Sequence, residues 1–352
     1  MTQAYIHRIA TAAPEHEVHG AFVAFAGKLL QDDRARSLFH RMAAKAEIDR
    51  RYSVLQVVPP FADDAVNAHE FYQLNGFPGT EERMRVYERW APRLLYKALD
   101  RLKLTPAERG RIRHVIVTSC TGHYAPGLDF AIIDYLGLSR EVSRTMVGFM
   151  GCYAAINGLR QAQHIVRSAP DESVLLVNLE LCTLHLQESQ DLAEVLSFLI
   201  FGDGCAVSLI SGEPGGLAID AFRTVMVEGT RDLITWRIGD GGFLMHLSGQ
   251  VPGEIEKWLR QAGGELANNG TSLWAIHPGG NSVLDAVERG LDLPDKSLAA
   301  SRNVLRSYGN MSSATVMFVL EELMRSAQAG EKGLAMSFGP GLTAETMEFH
   351  AV

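Results

Sequence analysis

Three residues in this chain carry side chains suited to chemistry on a carbonyl group. Cys152 follows Gly151 at a predicted helix start, Asn310 stands at the start of another helix, and His277 ends a strand-like run. Backbone N–H groups and the helix dipole lower the pKa of a thiol at a helix N-terminus, and an imidazole can complete its ionisation. We therefore predict a Cys152–His277 pair that attacks a carbonyl, with His277 and Asn310 holding an enolate or oxyanion oxygen.

Each of these residues also has a purely structural interpretation. One buried cysteine at a helix start is more often part of the core than a nucleophile, and an asparagine before a helix is most often its cap. A histidine beside Pro-Gly-Gly is often only a turn residue. The three signals gain weight together, because they occupy matching points of a chain whose halves follow the same order of elements.

The order of elements indicates a duplicated α/β chain. Each half shows strand, turn, helix, glycine turn, central helix, strand, turn and strand. In the first half Cys152 lies 32 positions after Cys120, and in the second half Asn310 lies 33 positions after His277. We therefore predict two related α/β halves that pack as one body.

The composition is that of an ordinary globular protein. The 352 residues are 47% hydrophobic and 21% charged, which excludes disordered and coiled-coil classes and suggests two domain-sized units. We place these units at 1–212, which carries the cysteine nucleophile, and 213–352, which carries His277 and Asn310. With 33 basic and 41 acidic residues the net charge is −8, so neither nucleic acid nor a membrane surface is an expected partner.

The sequence shows no targeting or metal-binding signal. Neither a run of 18 apolar residues nor a signal-like N-terminus is present, which favours a cytoplasmic protein. The four cysteines lack CxxC spacing and a neighbouring histidine cluster, so we expect neither a metal site nor disulfides. Any special cysteine should therefore act as a single thiol.

Four segments resemble the signature motifs of type III polyketide synthases, the chalcone-synthase-like branch of the thiolase fold. They lie in the family's order at 151–152, 276–280, 309–313 and 338–343. A further segment, 117–122, resembles the bacterial branch of the family. The resemblance extends over nearly the whole chain. It implies an α/β thiolase-like fold with two related halves in a layered αβαβα arrangement.

The resemblance implies iterative decarboxylative Claisen condensation. Cys152 would take an acyl starter from coenzyme A and carry the growing chain, while His277 and Asn310 would assist thiolate formation, malonyl decarboxylation and enolate stabilisation. The substrates would be an acyl-CoA starter and malonyl-CoA, with no metal or other cofactor, and the product a pyrone, resorcinol or phloroglucinol. The family also implies a homodimer, with the loop 120–127 near the partner. The sequence leaves open whether an acyl carrier protein can deliver the starter.

The resemblance also assigns residues around the catalytic three. Arg41 and Lys45 match basic residues that contact coenzyme A phosphates, and Gly279 belongs to the same binding site. Phe201 matches a gatekeeping phenylalanine between an entry tunnel and the cavity. The remaining residues expected in the cavity wall are Cys120, Trp236, Met245, Ser312, Gly339 and Pro340.

Three positions depart from the plant members of the family. Met245 stands where they carry a second gatekeeping phenylalanine, Trp236 where they tend to carry glycine, and Leu38 where they carry a third basic residue. A tryptophan ring fills cavity volume, whereas a methionine side chain is flexible. We therefore expect short or slender starters, or few extensions.

Two other functions share the fold and remain alternatives. A chain-initiating β-ketoacyl-ACP synthase of fatty-acid synthesis uses the same three residues, but the loop 338–343 and the Pro-Gly-Gly after His277 argue against it. A catalytically silent thiolase-fold subunit is a third possibility, which the presence of all three residues disfavours.

Residues outside the motifs receive structural interpretations at this stage. Cys182 and Cys205 lie on strand-like runs and are expected in the core. His185 and His164 are expected at the surface or on helices, and Glu180 is expected as a buried structural carboxylate paired by a loop.

Overall fold

The computed structural model describes residues 2–62, 64–266 and 270–352. The strands in these ranges are β1 (Ala4–Ala12), β2 (His16–Glu17), β3 (Tyr52–Ser53), β4 (Leu55–Gln56), β5 (Val66–Asn67), β6 (Ile112–Ser119), β7 (Ser143–Gly148), β8 (Ser173–Leu181), β9 (Asp203–Ser211), β10 (Leu217–Met226), β11 (Ile234–Gly239), β12 (Gly242–Leu247), β13 (Thr271–Ile276), β14 (Lys332–Gly339) and β15 (Thr343–Ala351). The helices are α1 (His19–Leu29), α2 (Asp33–Lys45), α3 (Ala68–Phe71), α4 (Thr80–Leu102), α5 (Pro106–Arg111), α6 (Leu128–Leu136), α7 (Ala154–Ser168), α8 (Leu192–Phe198), α9 (Val251–Leu266), α10 (Asn281–Leu291), α11 (Ala299–Tyr308) and α12 (Thr315–Met324). Short 3-10 turns lie at Gly151–Tyr153, Cys182–His185, Ser312–Ala314 and Pro340–Leu342.

The main sheet contains nine of these strands, in the order β13-β14-β15-β10-β1-β9-β8-β6-β7. The pairs β6–β7, β6–β8 and β13–β14 are parallel, and the other neighbours are antiparallel. The strand β1 joins the two halves, because residues 5–12 pair with β9 and residues 4–6 pair with β10. The catalytic elements of both halves are thereby held on one frame.

Side chains alternate across the strands and enter different cores on the two faces. Val115 and Val117 of β6 share a core with α4 and α6, whereas Ile116 lies in a central core with α7 and α12. In the second half Ala275 enters the same central core, and Ile276 shares an outer core with α9 and α10. The result is a five-layered αβαβα structure in which α7 and α12 lie between the two halves of the sheet. Strands buried on both faces read as uninterrupted apolar runs.

Local sequence patterns predict the buried strands and the long helix. The apolar run 173–178 predicts a buried strand, which lies within β8. The spacing of apolar residues over 81–103 predicts a long helix, which is α4 and contains Pro92. Cys205 is buried in β9 and His164 is exposed on α7, as predicted. The patterns do not predict β1, β10 or the hairpin of β11 and β12, because these strands alternate irregularly between buried and exposed positions.

The sequence predicts that Asn281 caps one helix and that Ser312 or Ser313 caps another, and both predictions are wrong. Asn281 is the first residue of α10, whose cap is Gly280, and its amide donates instead to the carbonyl of Ala46 at 2.9 Å. Ser312 and Ser313 form a 3-10 turn ahead of α12, and neither side chain caps that turn or the helix. In both places contacts with residues distant in sequence replace the local cap.

The cysteines Cys120, Cys152, Cys182 and Cys205 are all free thiols. Throughout the described ranges, no three or more His, Cys, Asp or Glu side chains are grouped so that they could hold a metal ion. In those same ranges, every helix falls short of the length and apolar character needed to cross a membrane.

Candidate active site

Two short 3-10 turns meet at the centre of the molecule, one ahead of each central helix. Gly151–Tyr153 precedes α7, Ser312–Ala314 precedes α12, and the two turns are in contact. Each turn begins with a left-handed residue, Gly151 at φ +74° and Ser312 at φ +47°. At Gly151 glycine is required, because a Cβ there would also overlap the ring of Pro340. The second residue of each turn is therefore held in a matching position.

Cys152 and Ser313 occupy these matching positions. The sequence pattern predicts Cys152 and Asn310 as equivalents, but Asn310 lies three residues ahead of Ser313, so that register is wrong. Asn310 nevertheless acts on the thiol, because the Asn310 and Ser312 side chains both act to lower the pKa of Cys152. Two donors of the second half thus act on the thiol of the first half.

Backbone hydrogen bonds fix Asn310 beside the thiol. Its N–H donates to the carbonyl of Ile200 at 2.7 Å, and its carbonyl accepts from the N–H of Gly202 at 3.0 Å. Its side-chain Oδ1 accepts from the N–H of Ser312 at 2.8 Å, which leaves the amide N–H groups as donors toward Cys152. Asn310 therefore presents donors to negative charge on the sulfur or on a bound carbonyl oxygen.

Burial controls the charge state of the Cys152 thiol. It raises the pKa of Cys152 to about 11, although hydrogen bonds from Ser312 and Asn310 act in the opposite direction and the nearby Glu180 charge adds to the rise. The sequence predicts a lowered pKa from the helix start, and this prediction is wrong in direction. The reason is that removing the thiolate from water costs more than these two donors return.

His277 directly follows β13 and is 1% exposed. Its backbone N–H donates to the carbonyl of Met336 at 2.8 Å, which extends the strand by one residue. Among the described residues neither ring nitrogen has a hydrogen-bond partner, and burial lowers the pKa of His277 to about 3. The imidazole is therefore neutral and has both a donor and an acceptor available for a ligand or for a proton from the thiol.

A cavity of about 570 Å³ has Cys152, His277 and Asn310 in its wall. The wall also contains these residues predicted from the sequence: Lys45, Gly279, Cys120, Phe201, Trp236, Met245, Ser312, Gly339 and Pro340. Arg41 is outside the wall and lies exposed on α2, one turn ahead of Lys45. Met42 and Lys45 are exposed wall residues, so the cavity opens to solvent beside α2.

Phe201 lies in the cavity wall and is paired with Asn310. It is 8% exposed and forms a parallel β-bridge with Asn310, while its carbonyl accepts from Nη1 of Arg51 at 2.5 Å. It also lines a second, apolar cavity of about 80 Å³. The ring therefore stands between two cavities, which is a position that a gating residue requires.

The amino-acid sequence matches two family models, which together span nearly the whole chain. The N-terminal domain of chalcone and stilbene synthases matches residues 2–214, and the C-terminal domain matches residues 219–352. The chain belongs to the chalcone and stilbene synthase family. It is therefore a type III polyketide synthase, an acyltransferase with a thiolase-like fold.

Relatives and solved structures give the same assignment. The synthase is 32% identical to the alpha-pyrone synthesis polyketide synthase-like Pks18 of Mycobacterium tuberculosis (strain ATCC 25618 / H37Rv), over 100% of this chain and 92% of Pks18. PKS-I from the brown algae Ectocarpus siliculosus superposes with a TM-score of 0.89 at 29% identity, covering 100% of this chain and 99% of that chain. The 1,3,6,8-tetrahydroxynaphthalene synthase from Streptomyces coelicolor A3(2) superposes with a TM-score of 0.86 at 25% identity, again over 100% and 99%.

A buried carboxylate braces the cavity wall of the synthase. Glu180 accepts hydrogen bonds from the N–H of Cys120 at 2.9 Å, the hydroxyl of Thr121 at 2.7 Å and the hydroxyl of Ser313 at 2.5 Å. The prediction of a structural carboxylate paired by a loop is confirmed. The sulfur of Cys120 in turn accepts from the N–H of Gly151 at 3.0 Å, and burial raises the pKa of its thiol.

Trp236 and Met245 are cross-strand neighbours in the hairpin of β11 and β12. Both lie in the cavity wall, and the indole N–H of Trp236 donates to the carbonyl of Cys120 at 2.8 Å. The Trp236 ring is thus fixed in the cavity wall, where the comparison with plant members of the family predicts a larger side chain than glycine.

Sequence reasoning misses two residues of the site. Cys182 is buried in the core, as expected, but it also lines the cavity from the 3-10 turn that follows β8, which the sequence does not predict. His185, expected at the surface or on a helix, ends the 3-10 turn Cys182–His185 and is fully buried, so the surface position is wrong. No local signal marks it, because its partners Thr121 and Phe243 are 64 and 58 positions away in the chain.

Proposed function

We propose that Cys152, His277 and Asn310 are the catalytic residues of this synthase. The observation that carries the proposal is the buried His277 ring, whose nitrogens lack a partner in the described ranges, in one cavity with a thiol and oriented amide donors. A buried polar group without a partner costs free energy, and such a group in a cavity indicates a bound ligand.

The first step loads the starter onto the thiol. Cys152 gives its proton to the neutral imidazole of His277, and the thiolate attacks the thioester carbonyl of an acyl-CoA. Coenzyme A leaves as a thiolate and takes the proton from His277, so that an acyl thioester remains on Cys152. Donors from Ser312 and Asn310 stabilise the thiolate, whose formation burial opposes.

The second step extends the chain. His277 and Asn310 donate to the thioester carbonyl oxygen of malonyl-CoA; as carbon dioxide leaves, the electron pair of the broken C–C bond forms an enolate that both donors stabilise. The enolate carbon attacks the acyl carbonyl on Cys152, whose sulfur leaves as a thiolate. The product, a β-ketoacyl-CoA, can be transferred back to Cys152 for another extension.

We propose that the synthase uses short or slender starters, makes few extensions and releases an α-pyrone. The support for small size is Trp236, which fills part of the cavity wall beside Cys120 and is partly offset by the flexible Met245. The support for a pyrone is the similarity to a relative named for alpha-pyrone synthesis.

Coenzyme A phosphates are proposed to bind at the opening beside α2. Lys45 lies in the wall there, Arg41 is exposed one turn earlier, and Gly279 belongs to the wall of the same cavity. Leu38, where plant members carry a third basic residue, leaves this site with less positive charge. The alternative source of starter, an acyl carrier protein, would use the same opening.

A homodimer is proposed to form through β7, the edge strand of the main sheet. This strand pairs only with β6 in the described sheet, and five of its six residues are exposed. Met146 and Phe130 expose apolar side chains beside it, and an open edge strand is a template for a second copy. His123 of the loop predicted near the partner packs against Gly148 at this edge. A monomer mass by light scattering at micromolar concentration would contradict the dimer.

The two predicted units, 1–212 and 213–352, are proposed as the repeated halves of the chain. Their support is the matched pair of 3-10 turns and central helices, and the passage from β9 to β10 after Ser211. The cytoplasmic location expected from the sequence stays a prediction.

The experiment that tests the function is incubation of the purified protein with malonyl-CoA and acyl-CoA starters of increasing length, followed by mass spectrometry of products and intact protein. We expect an acyl adduct on Cys152 and products that contain several malonyl-derived units. A single condensation would indicate a chain-initiating synthase, and no condensation with any starter would indicate a silent thiolase-fold subunit.

A further inference from the structure

The hairpin of β11 and β12 forms a wall of the cavity without belonging to the main sheet. Within the described chain the two strands pair only with each other. Trp236 and Met245 line the cavity, whereas Ile238 and Leu244 are exposed at 63% and 45%. The tip of the hairpin is held by α4, because the N–H of Thr80 donates to the carbonyl of Asp240 at 2.7 Å and the Thr80 hydroxyl accepts from the N–H of Gly242 at 2.9 Å. Away from the tip, no sheet hydrogen bonds within the described residues fix the hairpin to the body, so the distance of its cavity-lining residues from the nucleophile depends on side-chain contacts.

His185 makes two of these contacts. It ends the 3-10 turn Cys182–His185 and is fully buried. Its Nε2–H donates to the carbonyl of Thr121 at 2.7 Å, and its Nδ1 accepts from the backbone N–H of Phe243 at 3.2 Å. Both ring nitrogens are therefore used, and a neutral imidazole with its proton on Nε2 satisfies both bonds.

His185 also contacts the hairpin through aromatic packing. Its ring stacks on Phe243 with centroids 4.3 Å apart and meets the ring of Trp236 edge-on at 5.7 Å. The indole N–H of Trp236 donates to the carbonyl of Cys120 at 2.8 Å. His185 and Trp236 thus bind consecutive carbonyls, those of Thr121 and Cys120, on the segment that faces the hairpin.

We propose that His185 is a positioning residue that sets the width of the starter cavity by holding the β11–β12 hairpin against the Cys120–Thr121 segment. It does not line the cavity and acts through Trp236 and Met245. The consequence for specificity rests on the function proposed above. The mechanical part, that the hairpin loosens without His185, is independent of activity.

Three variants test the mechanical part. His185→Phe keeps a ring to stack on Phe243 and removes both hydrogen bonds, and His185→Gln keeps a donor for the Thr121 carbonyl. His164→Gln, on the exposed face of α7, is the matched control. We expect backbone hydrogen exchange in peptides covering 242–247 to quicken about three- to tenfold in His185→Phe, less in His185→Gln and not at all in the control. Exchange in β8 should stay at the wild-type rate in all three.

Product analysis tests the consequence for specificity. In His185→Phe we expect Cys152 to be acylated to the wild-type extent. We expect the ratio of products with one additional malonyl unit to the main wild-type product to rise about threefold or more. Trp236→Phe, which loses the indole N–H, should shift the ratio in the same direction. If His185→Phe does not fold, the same test uses His185→Gln, with hydrogen exchange in 242–247 and the product ratio as the two measurements.

Two results would overturn the proposal. One is unchanged exchange in 242–247; the other is a lowered total rate with an unchanged product ratio, which is what a merely structural residue would give. If the wild-type protein makes no product at all, the proposed function fails, while the exchange measurement still reports whether His185 holds the hairpin.

Discussion

The starts of the two central helices share a backbone shape and use it for different purposes. In the first half the residue after the left-handed Gly151 is Cys152, whose side chain lies in the cavity wall. In the second half the residue after the left-handed Ser312 is Ser313, which is fully buried and donates its hydroxyl to Glu180 at 2.5 Å. The turn therefore presents a side chain but does not make it reactive. A reactive side chain must also face open space and lack a fixed acceptor.

The second half contributes donors in place of a nucleophile. Asn310 and Ser312 act to lower the pKa of the Cys152 thiol, and His277 adds a ring without a protein partner in the described ranges. Glu180 ties the two halves together, because it accepts from Cys120 of one half and from Ser313 of the other. One half thus carries the proposed nucleophile, and the other half carries the groups proposed to stabilise charge on it.

The largest expected effect contrasts the two matching residues. Cys152→Ala removes the proposed carrier of the acyl group, so we expect condensed product and acyl adduct to fall below detection by mass spectrometry. Ser313→Ala should keep the acyl adduct and lower the free energy of unfolding by about 1–2 kcal/mol, because Glu180 loses a donor. Product at the wild-type rate from Cys152→Ala, or loss of the adduct in Ser313→Ala, would break the comparison.

The next largest effect concerns the donors of the second half. His277→Ala and Asn310→Ala each remove a group that stabilises the enolate, so we expect malonyl-CoA decarboxylation to fall roughly 10²–10³-fold. Acylation of Cys152 should partly survive in both variants. Carbon dioxide release and intact-protein mass measure the two steps separately. Unchanged decarboxylation in both variants would remove these residues from the mechanism.

The pH dependence of Cys152 alkylation sharpens the account of the first turn. Burial raises the Cys152 pKa to about 11, so the reactive thiolate increases about tenfold per pH unit below that value. We expect the rate of iodoacetamide labelling, followed by peptide mass spectrometry, to rise from pH 7 to pH 10 without a plateau. Labelling of Cys152 should also exceed that of Cys182 and Cys205, which lie deeper. A plateau below pH 8 would show instead that the helix start lowers the pKa.

The smallest expected effect concerns Glu180, the buried carboxylate that accepts hydrogen bonds from both halves of the chain. Burial raises the pKa of Glu180 from 4.5 to about 7, so the folded state holds this proton more tightly than the unfolded state. The contribution of protonated Glu180 to the free energy of unfolding is therefore fully present at low pH. This contribution falls by about 3 kcal/mol as the pH rises from 4.5 to 7.

Glu180→Gln should remove this part of the pH dependence. The free energy of unfolding in denaturant, measured at pH 5 and pH 7, tests the expectation. Glu141→Gln, at an exposed position, is the control and should keep the wild-type slope. Equal slopes in the two variants would mean that Glu180 is not the titrating group.

Motif positions allow most of the site to be predicted before the structure is known. Cys152, His277 and Asn310 each stand at an element boundary that local patterns reveal, and the cavity residues follow from the family resemblance. The hairpin that carries Trp236 is not predicted, because its strands are half-exposed and pair only with each other in the described ranges. Its contacts with His185 are equally invisible in the local pattern.

The sequence by itself determined the buried strands, the long helix α4 and the three residues proposed to react. These features depend on apolar periodicity and side-chain chemistry, which neighbouring residues carry. Only the tertiary structure decided that Cys152 matches Ser313, that the Cys152 pKa rises and that His185 is buried. The physical reason is that register, desolvation and burial arise from contacts between segments far apart in the chain, and no local pattern of residues encodes them.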